Sequence, residues 1–175
     1  DINLAMLAAH SEDMQLILVP PDDLEQRYAI AVPSNVVSLT SRVPPVDAPL
    51  RTITKPFEQL VPHIADRLPT LKHVSASYLH TGDDVVRIER LDALAKARGL
   101  SILATNDVHY ATPDRRPLQD VMTAIRHKTT VSAAGHLLHG NAERYLKSPE
   151  TMLRLFDRWP YAIAAAREVA DSCDF

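Results

Sequence analysis

The chain has 175 residues, of which 46% are hydrophobic and 23% are charged; this composition is typical of a globular protein and excludes a disordered one. No apolar run is long enough to span a bilayer, and the one cysteine, Cys173, excludes an internal disulfide framework. We therefore predict a cytoplasmic protein with no membrane partner. The absence of an initiating methionine at Asp1 predicts a piece of a longer polypeptide.

The net charge of -3 is unevenly distributed along the chain. Residues 1–110 contain 10 Lys and Arg against 14 Asp and Glu, whereas residues 111–158 contain 8 against 5. An excess of three positive charges is typical of an ordinary solvated helix surface. It predicts no more than a weak DNA-binding surface.

The first part of the chain predicts short elements separated by proline. A short apolar helix through Leu4 and Leu7 precedes residues 15–19, which are typical of a buried strand that ends at a proline pair. Asp22 and Asp23 then favour the first turn of a helix over residues 24–28.

Residues 31–56 contain five prolines and no helical period, so they are predicted to be a loop, an edge or an insertion made of short extended stretches. Helical spacing returns at Phe57, Leu60, Val61 and Ile64, where Pro62 either kinks the helix or lies in its first turn.

A strand, a helix and a second strand are predicted next. Residues 71–79 alternate as expected of a strand with one better buried face, and His80 follows at its carboxyl end. Asp83 or Asp84 then caps a helix that ends before Gly99, and Ile102 begins a buried strand. This order predicts an α/β fold with parallel strands.

Candidate metal ligands follow these two strands. Asp107 and His109 are two residues apart, so in extended chain they point the same way, and a carboxylate and an imidazole can bind one cation. His80 ends the neighbouring strand, and the carboxyl ends of parallel strands meet at one edge. The alternative is an Asx turn at Asn106 and Asp107 with surface histidines.

The remainder of the chain is predicted to be helix and loop. Pro117 opens an amphipathic helix, later helices place Met152, Phe156 and Trp159 in the core, and apolar stripes of this kind usually face inward. No Walker-type glycine loop or Gly-x-Ser-x-Gly elbow occurs, so nucleotide cradling and acyl transfer lack their usual motifs.

Three stretches together resemble one protein family: Ala-Thr-Asn-Asp-Val-His-Tyr at residues 104–110, Arg-Arg-Pro-Leu-Gln-Asp-Val at 115–121 and Asn-Ala-Glu-Arg-Tyr-Leu-Lys-Ser-Pro-Glu at 141–150. They are similar to bacterial C-family DNA polymerases. More narrowly they resemble the error-prone paralogue of the DNA polymerase III alpha subunit, which acts in damage-induced mutagenesis and translesion synthesis.

The resemblance implies that residues 1–112 are the later part of a PHP domain, a distorted β/α barrel, with residues 31–56 as a proline-rich loop or insertion. Residues 113–175 would be a helical segment leading towards the polymerase core. It implies that Asp107 and His109, with His80, are ligands of a divalent metal: zinc, manganese or magnesium. The implied partners are DNA, the rest of the polymerase chain and other mutagenesis proteins.

Two departures from the family pattern affect function. The His-x-His of the family's first strand is absent, as are the palm carboxylates that bind magnesium, so the chain alone is predicted to be catalytically incomplete. Two functions stay open: a non-catalytic scaffold, favoured here, or a metal-dependent phosphoesterase module that also needs the missing N-terminal ligands.

Overall fold

The computed structural model describes residues 4–33 and 50–173. Its helices and strands follow one another in this order: α1 Leu4–Ala9, β1 Leu16–Leu18, β2 Arg27–Pro33, β3 Leu50–Pro56, α2 Phe57–Arg67, β4 Leu71–Ser77, α3 Asp84–Lys96, β5 Ser101–Thr105, a 3-10 turn Pro113–Arg115, α4 Arg116–Arg126, α5 Val131–Ala134, a 3-10 turn Gly135–Leu137, α6 Pro149–Leu155 and α7 Pro160–Ser172. In this part of the chain, no helix is both long and apolar enough to cross a bilayer.

Two sheets are present in the described residues. Strands β1, β4 and β5 form a parallel sheet in that spatial order, and β2 pairs with β3 in antiparallel fashion. The crossover from β4 to β5 runs through α3, as a parallel pair requires. The predicted α/β class with parallel strands and a crossover helix is confirmed.

The chain divides into two compact units. The first comprises the residues up to Ser75 together with Asp92–Ser101, and the second comprises Ala76–Leu91 together with the chain from Ile102 onward. The core of the first unit includes Val61 and Val74, both fully buried. The predicted helix α2 is confirmed, with Pro62 inside it, and it buries the apolar face that its spacing indicated.

Two predictions in the first unit are wrong. Residues 24–28 do not form a helix; the Asp23 carboxylate instead accepts the Glu25 amide at 2.8 Å in a turn, and β2 begins at Arg27. The strand predicted over residues 15–19 exists as β1, but it is not buried: Ile17 within it is 37% exposed, and Val19 just after it is 73% exposed. Among the strands that the structure describes, β1 lies at the edge of its sheet and pairs with β4 alone.

The end of β2 and the whole of β3 belong to the proline-rich segment, and these two strands form an antiparallel pair. Residues 34–49, the part of the segment between them, lie outside the described part of the chain. Arg27 pairs with Pro56 and Pro33 pairs with Leu50, so a proline stands at the end of each strand, where its missing N–H costs least. The prediction of short extended stretches is confirmed for β2 and β3.

The core of the second unit is formed by α3, β5 and the last helices. Ile88, Leu91 and Ile102 are buried, and Phe156 packs edge-on against Trp159 with ring centroids 6.4 Å apart. The core positions predicted for Phe156 and Trp159 are confirmed, whereas Met152 is only half-buried.

Two burial predictions need correction. In β4, residues 73–76 are all buried, so both faces of the strand are covered rather than one, as expected of a strand in a parallel sheet. In α4, the apolar residues of the amphipathic face point outward to solvent, not into the core.

His63 should make the fold sensitive to mild acid. It is buried in α2, within the described residues its Nδ1 has no hydrogen-bond partner, and burial, followed by the charges of Arg67 and Lys55, lowers its pKa. Because the unfolded chain takes up the proton near pH 6.5, stability should fall as the pH drops from about 7 through that value towards the folded pKa.

Urea unfolding at pH 7.5 and pH 5.5 measures this effect. Each unit by which the pKa of His63 differs between the unfolded and folded states changes the free energy of unfolding by at most about 1.4 kcal/mol. The wild-type midpoint should fall on acidification, and that of His63→Leu should fall less. The exposed His127 provides the control, since His127→Leu should keep the wild-type response. Equal pH dependence in both variants would contradict the assignment to His63.

Candidate functional site

The second unit contains the loops that follow β4 and β5, where the sequence predicts the site. Asp84 organises the first loop: its carboxylate accepts the backbone amides of Leu79 at 2.7 Å, Thr81 at 2.8 Å and Gly82 at 3.2 Å. These amides precede α3, so Asp84, the first residue of the helix, holds the incoming loop. Burial raises the pKa of the Asp84 carboxyl, but these hydrogen bonds together lower it by more, so the net pKa lies below its ordinary value.

Both predicted site loops contain a residue in the left-handed backbone region. His80 has φ of 54° and Asp107 has φ of 42°. Residues other than glycine seldom adopt this region, so each conformation must be held by its surroundings. In the first loop the Asp84 carboxylate provides that support on either side of His80.

The second loop is held by a buried asparagine. Asn106 follows β5 directly, and its Nδ2 donates to the carbonyls of Glu143 at 2.9 Å and Tyr145 at 2.6 Å. The amide of His109 in turn donates to the Arg144 carbonyl at 2.9 Å. The sequence suggested for Asn106 only the alternative of an Asx turn with Asp107, whereas its side chain ties the end of β5 to a segment almost forty residues away.

One segment, residues 139–147, contacts both loops. Its carbonyls bond the loop after β5, as described above. At the loop after β4, Asn141 Nδ2 donates to the carbonyl of Leu79 at 2.6 Å and to that of His80 at 3.3 Å. Tyr145 forms a parallel β-bridge with Tyr110. Segment 139–147 therefore fastens both strand-end loops: Asn141 donates to backbone carbonyls of the loop after β4, and the backbone carbonyls of the segment accept from the Asn106 side chain and the His109 amide of the loop after β5.

The structure places the three predicted ligands in two separate pairs. His109 Nε2 lies 3.4 Å from Asp107 Oδ1, so these two side chains meet as their spacing indicated. His80 Nε2 instead lies 3.8 Å from Glu143 Oε2, with half of the His80 side chain exposed. The ligand role of His80, Asp107 and His109 stays a prediction.

Arg144 is the residue of this site that sequence reasoning missed. It is buried, its guanidinium binds Asp107 Oδ2, and its Nε donates to His139 Nδ1 at 3.1 Å. The His139 ring stands edge-on to the His109 ring, with centroids 5.0 Å apart. Arg144 lies in one of the motifs quoted for the family resemblance, but nothing in its local spacing indicates a partner 37 residues away.

A divalent metal does not fit the described residues in this arrangement. Within residues 4–33 and 50–173, no three His, Cys, Asp or Glu side chains form a group that could hold a metal ion. The carboxylate with the best ligand position, Asp107, already binds the Arg144 guanidinium, and a cation added there would lie beside a fixed positive charge.

These features define an α/β domain whose strand-end loops are fastened by hydrogen bonds and by a buried arginine. No protein-family model matches the chain. It is 42% identical over 127 residues, 73% of its length, to the error-prone DNA polymerase of Caulobacter vibrioides. It is 52% identical over 102 residues, 58% of its length, to that of Bradyrhizobium diazoefficiens, and 49% identical over 112 residues, 64% of its length, to that of Brucella abortus.

The matched segments make up 12%, 9% and 10% of these three relatives, so the chain spans about a tenth of the length of the curated relatives it matches. The chain is homologous to one segment of error-prone DNA polymerases. The resemblance predicted from the motifs is confirmed at this level.

Proposed function

We propose that this chain is a structural portion of an error-prone DNA polymerase that copies damaged templates in damage-induced mutagenesis and translesion synthesis. The observation that carries the proposal is the similarity to several error-prone polymerases, such as 42% identity over 127 residues and 52% identity over 102 residues. The site supports a structural role, because Arg144 neutralises the Asp107 carboxylate on which a metal centre would depend.

In this proposal the parallel strands and α3 belong to a PHP-type barrel, and the helices from α4 to α7 lead towards the polymerase core. The parallel β4–α3–β5 unit supports the first assignment, since strands with crossover helices are what such a barrel is built from. The partners are DNA, reached through the whole polymerase, the rest of the polymerase chain and other mutagenesis proteins. The compartment is the cytoplasm.

Primer extension tests the proposal directly. The complete polymerase that contains this segment should extend a primer past a template lesion, whereas the 175-residue chain alone should incorporate no nucleotide. Nucleotide addition needs paired carboxylates holding magnesium, and the family's palm carboxylates are not in this sequence. Templated incorporation by the purified chain, free of host polymerase, would show that the structural assignment is wrong.

Weak DNA binding by the chain alone is expected. Residues 111–158 have an excess of three positive charges. Two of the basic residues in this range, Arg144 and Lys147, are buried and paired with Asp107 and Glu143 respectively. The log-log dependence of duplex affinity on salt should therefore be no steeper than about -3. Fluorescence anisotropy of a labelled duplex over a sodium chloride series measures the slope, and tight binding that persists in high salt would contradict it.

The second candidate function is a metal-dependent phosphoesterase module. The approach of His109 to Asp107 at 3.4 Å is the observation in its favour, and the Arg144 guanidinium on the same carboxylate is the observation against it. Because this module would also need the N-terminal ligands that the sequence lacks, the complete polymerase polypeptide incubated with manganese and a phosphodiester substrate separates the two functions. Metal-dependent hydrolysis that is lost in Asp107→Asn would favour the phosphoesterase.

A further inference from the structure

Helix α4 presents an apolar stripe to solvent. The stripe consists of Leu118, Val121, Met122 and Ile125, whose exposed fractions are 60%, 44%, 53% and 71%. These four positions, spaced i, i+3, i+4 and i+7, share one side of a helix. We call them the α4 face. Outside this stripe, Ala124 on the flank of the helix is buried.

The α4 face differs from the other exposed apolar residues of the second unit. Val86 on α3 and Leu153 on α6 are each the one large exposed apolar side chain of their helix, which is normal for a soluble protein. Four such residues on one stripe form a contiguous surface of the kind that marks an interaction site. Val131 and Leu137, in the elements that follow α4, are exposed too.

The shape and borders of the α4 face limit what can cover it. The stripe runs from Leu118 to Ile125, about 10 Å along the helix axis. Charged residues lie beside it: Asp120 pairs with Arg116 at 3.5 Å, and the exposed Arg126 ends the helix. A partner must therefore offer an apolar strip about two helical turns long, as a second helix or a groove between helices does.

We propose that the α4 face is a docking surface for another part of the same error-prone polymerase polypeptide. The inference rests on the proposed function. The segments matched in the relatives are 9% to 12% of those polymerases, so about nine-tenths of such a chain lies outside this segment and is available to cover the face. A docked segment of the same polypeptide is always present at high effective concentration, which suits a short apolar stripe.

Methionine oxidation measures whether the face is covered, because Met122 lies in it and hydrogen peroxide oxidises exposed methionine. Oxidation at Met122 is followed by mass spectrometry in the 175-residue chain and in the complete polymerase polypeptide. Met122 should react at least about tenfold more slowly in the complete polypeptide, because it then reacts only when the docked segment opens. Equal rates in the two proteins would overturn the proposal.

Two variants of the complete polypeptide make the result specific to the face. Ile125→Asp places a charge in the stripe at its most exposed position and should return Met122 oxidation towards the rate of the isolated chain. Val86→Asp, at an exposed apolar position of α3, is the matched control and should leave Met122 protected. If Ile125→Asp leaves the protection unchanged, the proposal is wrong. Circular dichroism of both variants in the isolated chain checks their folding.

The remaining outcomes separate this inference from its alternatives. If the isolated chain sediments as a dimer and Met122 is already protected in it, the occupant is a second copy and the proposal is overturned. Primer extension is measured on the same complete polypeptide. Protection of Met122 without templated synthesis would support the docking surface and contradict the polymerase function, whereas synthesis without protection would do the reverse.

Discussion

Asp84→Ala is expected to lower the free energy of unfolding by about 3 kcal/mol, since a hydrogen bond to a charged group contributes about 1.5 to 3 kcal/mol. The carboxylate accepts three backbone amides from the loop after β4, and Asp84 is buried. Alanine leaves those amides without their acceptor while His80 still needs its left-handed backbone. Urea unfolding followed by circular dichroism measures the loss.

Asp83→Ala is the matched control for this prediction. Asp83 is exposed, and its carboxylate accepts the Thr81 hydroxyl at 2.9 Å, so its replacement should change stability by less than about 0.5 kcal/mol. If the two alanine variants were equally stable, the organising role of Asp84 would be wrong.

The same carboxylate should make stability fall in acid. The folded-state pKa of Asp84 lies below its unfolded value, so the charged form is favoured by folding. Its contribution is then complete above the unfolded pKa, near 4, and is lost as the pH falls through the lower folded pKa. The difference in stability between wild type and Asp84→Asn should therefore shrink between pH 5 and the acid limit of folding.

Arg144→Met is expected to destabilise the chain by about 2 kcal/mol, because it removes hydrogen bonds to a carboxylate and to an imidazole while preserving most of the buried volume. The value is below that for a fully buried ion pair because the Asp107 side chain, left without the guanidinium, is half exposed and water can solvate it. Thermal and urea unfolding measure the change. Arg154→Met, at an exposed position of α6, is the control and should change stability by less than about 0.5 kcal/mol.

Asp107→Asn tests the pair from its other side. It removes the negative charge that Asp107 places beside the buried Arg144 guanidinium, so we expect a loss of about 3 kcal/mol, larger than that of Arg144→Met. The double variant should lose less than the sum of the two single variants, since both remove one interaction. Strict additivity would show that Arg144 and Asp107 do not depend on each other.

The elements with strong local patterns were predicted correctly. β4, α3 and β5 follow from the apolar runs and the glycine at position 99, where φ of 67° and a bond from the Leu100 amide to the Ala95 carbonyl end the helix. By contrast, the acidic pair at Asp22 and Asp23 predicted a helix where the chain makes a turn and enters β2. A single short turn carries too little local free energy to form against strand pairing with β3.

The site was predicted only where neighbours in sequence are neighbours in space. The approach of His109 to Asp107 follows from their spacing of two residues. The pairing of His80 with Glu143 and of Asp107 with Arg144 spans 63 and 37 residues. Spacing along the chain contains no information on such contacts.

The sequence by itself determined the α/β class, the order of β4, α3 and β5 and the resemblance to error-prone polymerases, because periodicity and motifs are local properties of the chain. Only the tertiary structure decided that Asn106 and Arg144 fasten the strand-end loops and that the apolar stripe of α4 faces solvent. A helical stripe identifies which side of a helix avoids water, but what covers that side depends on packing between distant segments.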